Sequence, residues 1–245
     1  MDDALRHRVA RIDEGGAAIF ALELPAMDGV LFGRLAANAS PERRDRAARY
    51  RFQADAIRCL AAEALLRHAL REVHGLDGDG AVAGRDTREK PFLVSHPDIQ
   101  FNLSHSGAWV VCALHDRLVG IDVEEPRPMT NPPAAQFMSA PELARYHALA
   151  PGERPAGFFR LWTLKESVLK AAGTGFAFDP RQMTLSTSDA RIDLEGAPDA
   201  GPGLRWSVHV VRIPAPVHAA VCLQVPAAGN VSCADGAGRP TRTPA

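Results

Sequence analysis

Asp122 and Glu124 stand two residues apart at the end of the run Val119-Gly120-Ile121-Asp122-Val123-Glu124. Side chains alternate along a strand, so both acids project from one face while Ile121 and Val123 turn toward a core. Oxygen donors with no histidine or cysteine beside them favour a hard cation, Mg²⁺ rather than zinc, and Mg²⁺ characteristically joins a few carboxylates to water and substrate phosphate. Two solvated acids at a strand end would read the same way. A second segment, Phe158 to Lys170 (FFRLWTLKESVLK), sets Leu161, Leu164, Val168 and Leu169 on a helical stripe, with Glu166 and Lys170 one turn apart on another face. On an exposed helix that pair is an ion pair worth ~0.3–0.5 kcal/mol. Beside a cation, Glu166 becomes a third ligand and Lys170 a partner for phosphate. Lys165 lies about 100° around the helix from Glu166, and its replacement is expected to retain more activity than that of Glu166 unless Lys165 contacts a substrate phosphate.

A third segment, Phe101-Asn102-Leu103-Ser104-His105-Ser106-Gly107, gathers small polar donors just ahead of a strand, where backbone and hydroxyl groups suit a phosphate. A turn at Ser106-Gly107 accounts for it equally well. His105 by itself reads as a structural hydrogen-bonder, although only one hairpin separates it from the strand of Asp122.

The elements that must position these residues follow from periodicity and punctuation. Ala17 to Leu24, between Gly16 and Pro25, reads as a buried strand. One long helix is expected from Ser40 as cap and Pro41 to about Val73, with Ile57, Leu60, Ala61, Ala64 and Leu65 on its stripe and Gly75 ending it. Gly78 to Gly84 reads as loop. Short strands are expected at Phe92–Val94, Trp109–His115 and Val119–Val123, then a proline-rich interruption from Pro126 to Pro133. A helix near Ser139 and Pro141 and another from Arg154 to Ala172, stopped by Gly173, come next. Strands at Met183–Ser186, Arg205–Arg212 and His218–Val225 close the folded part. Val111-Cys112-Ala113-Leu114 is echoed by Val221-Cys222-Leu223-Gln224, which suggests two halves, each a helix with an antiparallel sheet. Residues 229–245 are rich in Gly, Ala, Pro, Thr and Arg and read as a disordered tail.

The 245 residues are 46% hydrophobic and 23% charged, a soluble globular balance, and the net charge of −1 recruits no polyanion. Nucleic-acid binding through Arg43, Arg44, Arg46, Arg49 and Arg51 is thereby disfavoured, and any basic site is local. Cys59, Cys112, Cys222 and Cys233 form no CxxC pair, which fits a reducing, cytoplasmic setting. The N-terminus carries no apolar signal run, and no stretch approaches the roughly 18 apolar residues of a membrane span.

Taken in order, F-N-L-S-H-S-G, G-I-D-V-E and W-T-L-K-E-S-V-L-K resemble the three signature motifs of the surfactin-synthetase (Sfp) type of phosphopantetheinyl transferase, and the resemblance spans about residues 40 to 225. It implies an α+β pseudo-dimer of two similar halves, residues 1–118 and 119–228, each a helix packed on an antiparallel sheet, with the active site in the cleft between them. It implies a monomer that binds coenzyme A and Mg²⁺ and moves 4′-phosphopantetheine to a serine of an acyl or peptidyl carrier protein. By motif match Asp122, Glu124 and Glu166 are the metal ligands, Asn102, Ser104 and His105 adjoin the nucleotide phosphates, and Lys170 reaches the pyrophosphate. Lys90, in Glu89-Lys90-Pro91, resembles the lysine of the family's G-K-P beside the adenine. Asp55-Ala56-Ile57-Arg58 looks like the family's D-A-x-R, a register that turns Arg43 and Arg46 to the 3′-phosphate with Arg85 joining them. Glu89 stands where the family often has glycine, and Cys59 where threonine can occur. Glu166 is the implied base for the carrier serine, directly or through a metal-bound water, with Asp122 and Lys170 completing the catalytic set. A non-catalytic coenzyme A binding module of the same fold is the alternative; it predicts loss of an acid or of Lys170.

Overall fold

The strand Ala17–Glu23 is buried at every position but its last, which a strand tolerates only when both faces of its sheet are covered. In the computed structural model one face lies against a helix and the other against a second sheet. The structure describes residues 3–76, 83–87, 90–187, 192–213 and 216–227. The tail expected at 229–245 and most of the expected loop at 78–84 lie outside them.

The first half runs α1 (Asp3–Arg6), β1 (Val9–Glu14), β2 (Ala17–Glu23), α2 (Gly29–Asn38), α3 (Pro41–Ala47), α4 (Gln53–His74), β3 (Ala83–Arg85), β4 (Pro91–Leu93), β5 (Gln100–Ser106) and β6 (Trp109–His115). The second runs β7 (Val119–Glu124), α5 (Ala134–Phe137), α6 (Ala140–Ala148), α7 (Arg154–Ala172), β8 (Thr184–Thr187), β9 (Ile192–Glu195), β10 (Leu204–Val210) and β11 (His218–Pro226). Antiparallel pairing gives one sheet in the order β1-β2-β6-β5 and another in the order β10-β11-β7, with β3-β4 and β8-β9 as separate hairpins.

Alternation stacks these elements into four layers. Phe20, Leu22, Cys112 and Leu114 face Ile57, Leu60 and Leu65 of α4. The opposite face of the same strands, Ile19, Ala21, Val111 and Ala113, meets Ile121, Val123, Val221 and Leu223 of the second sheet. That sheet's outer residues, Trp206, Val208, Ala220 and Cys222, receive Leu164, Val168, Leu169 and Ala171 of α7. The internal echo therefore falls on the two central strands, β6 and β11, with Val111 and Val221 turned to the shared interior and Cys112 and Cys222 each turned to its own helix. This is the α+β pair of similar halves expected from the sequence. No described helix is long and apolar enough to cross a membrane.

The single helix expected from Ser40 to Val73 is instead two. Ser40 caps α3, accepting from the Arg43 amide at 3.2 Å, and Gly75 closes α4 in the left-handed region at φ 67°. Between them Ala48–Phe52 reverses the chain, so that the Ser40 amide and hydroxyl reach the Glu63 carboxylate of α4 at 3.2 and 3.3 Å. No glycine or proline marks the break, because a tertiary tie imposes it. The polar segment expected ahead of a strand is itself a strand, β5. It pairs with β6 from Gln100↔His115 to Ser106↔Trp109 and is the edge strand of its sheet, so alternate backbone groups and its side chains face the second half. The helices α1, α2 and α5 and the strands β1, β3 and β9 have no counterpart among the elements expected from the sequence.

The two halves meet differently at their two edges. On one, β1 and β10 are clasped through Glu14 and His209, 3.3 Å apart, with the other ring nitrogen of His209 2.9 Å from Ser207. On the other, β5 lies beside β7 under α7. There Gly120 lets the backbones of strand and helix touch: a Cβ at Gly120 would meet the backbone of Ser167 and Ala171. Gly120→Ala must therefore push α7 off the sheet, and a loss of about 1–3 kcal/mol is expected, measured as a lower denaturant midpoint at unchanged m. An unshifted midpoint would show that α7 is not seated as described.

Candidate active site

The strand β7 is an edge strand whose even positions, Gly120, Asp122 and Glu124, face α7. The strand β5 presents its own even positions to the same seam. Asn102 Oδ1 accepts from the Ile121 amide at 2.9 Å, Ser104 Oγ donates to Asp122 Oδ1 at 2.8 Å, and Ser106 Oγ donates to Glu124 Oε2 at 2.8 Å. From α7, Lys170 Nζ donates to Asp122 Oδ1 at 2.6 Å and to Ser104 Oγ at 2.9 Å. Glu166, one turn earlier, points into the same space.

The electrostatics are those of crowded acids out of water. Burial pushes Glu166 from its ordinary value of 4.5 up to about 7; Asp122 and Glu124 add to the rise and Lys170 opposes it. Glu124 is also raised, first by burial and then by Asp122, against the hydrogen bond from Ser106. Asp122 Oδ2 and Glu166 Oε1 are buried without a hydrogen-bond partner. Orphaned carboxylate oxygens are unfavourable unless something charged reaches them. As the side chains stand, no three acids, imidazoles or thiolates among the described residues converge closely enough to define a metal centre. Hard oxygen donors with two free buried oxygens nevertheless fit Mg²⁺ in kind, once Lys170 turns to a phosphate.

The other expected residues are placed as follows. His105 projects from the opposite face of β5 to Ser104; partial burial, then the charges of Arg58 and Lys170, hold its ring below the usual imidazole range. Arg58 pairs with Asp55 at 2.6 Å and donates to the Gly107 carbonyl at 2.8 Å, so the D-A-x-R pair clamps the β5–β6 turn. Arg43 turns inward, 3.8 Å from Glu63 and 3.8 Å from Cys59 Sγ, while Arg46 on α3 and Arg85 on β3 are exposed. Lys90 donates to the carbonyls of Ala171 at 2.7 Å and Val119 at 3.2 Å, and burial lowers it to about 8. Asp122, Glu124, Glu166, Lys170 and Ser104 thus share one seam, and His105 flanks it. Asn102 Oδ1 is engaged by the β7 backbone at the Ile121 amide.

Lys165 stands against the expectation that its replacement retains more activity than that of Glu166. Its side chain is fully buried, paired with Glu142 at 2.5 Å and donating to the carbonyls of Pro180, Met183 and Phe137 at 2.8, 2.8 and 3.1 Å. Glu142 in turn accepts from the amides of Ser139 and Leu185, each at 2.8 Å. The node ties α6, α7 and β8 together and sets the rotation of the helix that carries Glu166. Sequence offered one signal: Ser139 and Glu142 form a capping box.

Comparison with known proteins shows the family. Residues 118–222 match the family model of the 4′-phosphopantetheinyl transferase superfamily, and residues 31–117 match that of the N-terminal region of 4′-phosphopantetheinyl transferases. The chain belongs to the 4′-phosphopantetheinyl transferase family. A 4′-phosphopantetheinyl transferase of Bacillus subtilis is 38% identical over 156 residues, covering 64% of this chain and 70% of that one. The transferase psf-1 of Bacillus pumilus is 35% identical over 182 residues, covering 73% and 76%, and Sfp of Bacillus subtilis strain 168 is 33% identical over 157 residues, covering 64% and 68%.

Two outcomes test this geometry without an activity assay. Because the folded-state value of Glu166 lies above its unfolded one, its stabilising contribution is complete below pH 4.5 and is lost as pH rises through about 7. Metal-free Glu166→Gln is therefore expected to match wild type near pH 4.5 and to exceed it above pH 7, by roughly 3 kcal/mol at most. Equal denaturation curves at both pH values would remove Glu166 from the buried cluster. Lys165→Met leaves Glu142 buried and unpaired and is expected to lose about 3–5 kcal/mol in urea, with partial recovery when combined with Glu142→Gln. An unchanged midpoint would refute the node.

Proposed function

We propose that this chain transfers 4′-phosphopantetheine from coenzyme A to a serine of an apo acyl or peptidyl carrier protein, with residues 1–118 and 119–228 as its two halves and Mg²⁺ as its ion. The observation that carries the reading is the seam itself: acids from β7 and α7 and a lysine from α7 meet where two buried carboxylate oxygens lack partners. Asp122, Glu124 and Glu166 are the residues to hold the cation. When bound, Mg²⁺ supplies charge neutralisation on the pyrophosphate.

The carrier serine oxygen forms a bond to the β-phosphorus, and the bond from that phosphorus to the bridging oxygen breaks. Adenosine 3′,5′-bisphosphate leaves. The serine proton passes to Glu166, directly or through water. Lys170 exchanges its contact with Asp122 for the departing phosphate and stabilises its charge. Ser104 adjoins the nucleotide phosphates from the seam and His105 from the flank beside it, with Arg46 and Arg85 toward the 3′-phosphate; Arg43 joins them by leaving Glu63, and Lys90 reaches the adenine by leaving the Ala171 and Val119 carbonyls. A non-catalytic module would have shed an acid or Lys170; all are present. The setting is cytoplasmic and the chain acts as a monomer; the free, buried Cys59, Cys112 and Cys222 fit a reducing compartment.

Incubation with coenzyme A, Mg²⁺ and a panel of apo carriers is expected to add one phosphopantetheinyl group, read by intact mass, and EDTA is expected to stop it until Mg²⁺ or Mn²⁺ returns. Asp122→Ala and Glu166→Gln are expected to lower turnover at least ~100-fold at saturating substrates. Wild-type turnover in both variants, or activity persisting in chelator, would sink the assignment.

A further inference from the structure

We propose that Ser106 is the positioning residue of Glu124, holding one carboxylate oxygen so that the other is presented to the divalent cation. The proposal rests on the metal reading above. A hydroxyl has a single proton to donate, and here its direction is determined. Ser106 Oγ accepts from the Glu125 amide at 3.1 Å, which leaves the proton for Glu124 Oε2 at 2.8 Å.

The turn that carries Ser106 is itself held on both sides. Gly107 is in the left-handed region at φ 54°, and a Cβ there would overlap the carboxylate of Glu125, which accepts from the Ala108 amide at 3.3 Å. The Gly107 carbonyl is gripped by Arg58 at 2.8 Å from the α4 side. The hydroxyl is therefore a pre-placed donor rather than a mobile one.

Glu124 has a competing partner. Arg127 Nη1 lies 3.6 Å from the same oxygen, on a side chain 60% exposed to solvent. Without the Ser106 hydroxyl the carboxylate is free to swing toward that guanidinium and out of the seam. The neighbouring contact of Ser104 with Asp122 is similar, but Ser104 also receives Lys170, so its loss would disturb two groups. Ser106 isolates the effect on one.

The test is Mn²⁺ titrated into the full chain with saturating coenzyme A, followed by the electron paramagnetic resonance of free Mn²⁺. Ser106→Ala is expected to weaken Mn²⁺ binding ~10- to 100-fold, the usual effect of losing a hydrogen bond to a metal ligand. Coenzyme A affinity without metal is expected to stay at the wild-type value. Ser106→Thr, which keeps the hydroxyl, is expected to restore Mn²⁺ binding. If Ser106→Ala does not fold, Ser106→Cys, a near-isostere with a weak donor, is expected to show the weakened binding in its place. Wild-type Mn²⁺ affinity in the folded Ala or Cys variant overturns the proposal, as does a folded Thr variant that does not recover. A wild-type chain that binds no Mn²⁺ overturns the metal reading with it.

Discussion

The backbone of α7 runs through the space where a side chain at position 120 would stand, and the rest of the site depends on that approach. With Ser167 and Ala171 against Gly120, the helical turn between them brings Lys170 onto Asp122, two residues along the same strand face. Any larger residue at position 120 would lift the helix and carry both Glu166 and Lys170 away from the acids of β7. The buried Lys165–Glu142 pair acts on the same helix from its far side. Gly120 sets the distance of α7 and Lys165 its rotation, so two residues with no direct part in the chemistry determine where the acid and the base of α7 point.

The seam is also where the halves divide their labour. Hydroxyl and amide side chains come from β5, carboxylates from β7, and the contacts step along both strands together, Asn102 to Ile121, Ser104 to Asp122, Ser106 to Glu124. Two edge strands of different sheets meet here, and side chains rather than a backbone ladder join them. A polar joint of this kind is stable only while each group is satisfied. The two oxygens it leaves orphaned are the ones a cation would reach.

Much of this was legible in the sequence where local chemistry dictates it. The bounds of α7, Arg154–Ala172, follow from a proline near its start and a left-handed glycine at its end, and the common face of Asp122 and Glu124 follows from strand alternation. The strand β5 was misread although its alternation was present. Phe101 and Leu103 pack with α4 while Asn102, Ser104 and Ser106 face the seam, but seven residues with so many polar groups also resemble a loop. The break between α3 and α4 and the turning of Lys90 onto backbone carbonyls have no local signature, and the burial of Lys165 has none beyond the capping box that places its partner Glu142. Each arises from a partner distant in sequence: Glu63, Glu142, and the end of α7.

The echo between β6 and β11 bears on how many centres one polypeptide can hold. In the second sheet Cys222, Ala220 and His218 stand opposite Gly120, Asp122 and Glu124. In the first, Cys112 and Val110 stand opposite Phe20 and Leu22, and the Leu24 amide bonds to the Ala108 carbonyl. The counterparts of glycine, aspartate and glutamate are therefore a phenylalanine and two leucines, all buried in the core against α4. Where one half keeps its helix close and its acids open to a ligand, the other has filled the equivalent space with hydrocarbon. The duplicated architecture is asymmetric in chemistry: a twofold scaffold that carries acids on one of its two equivalent strands and hydrocarbon on the other.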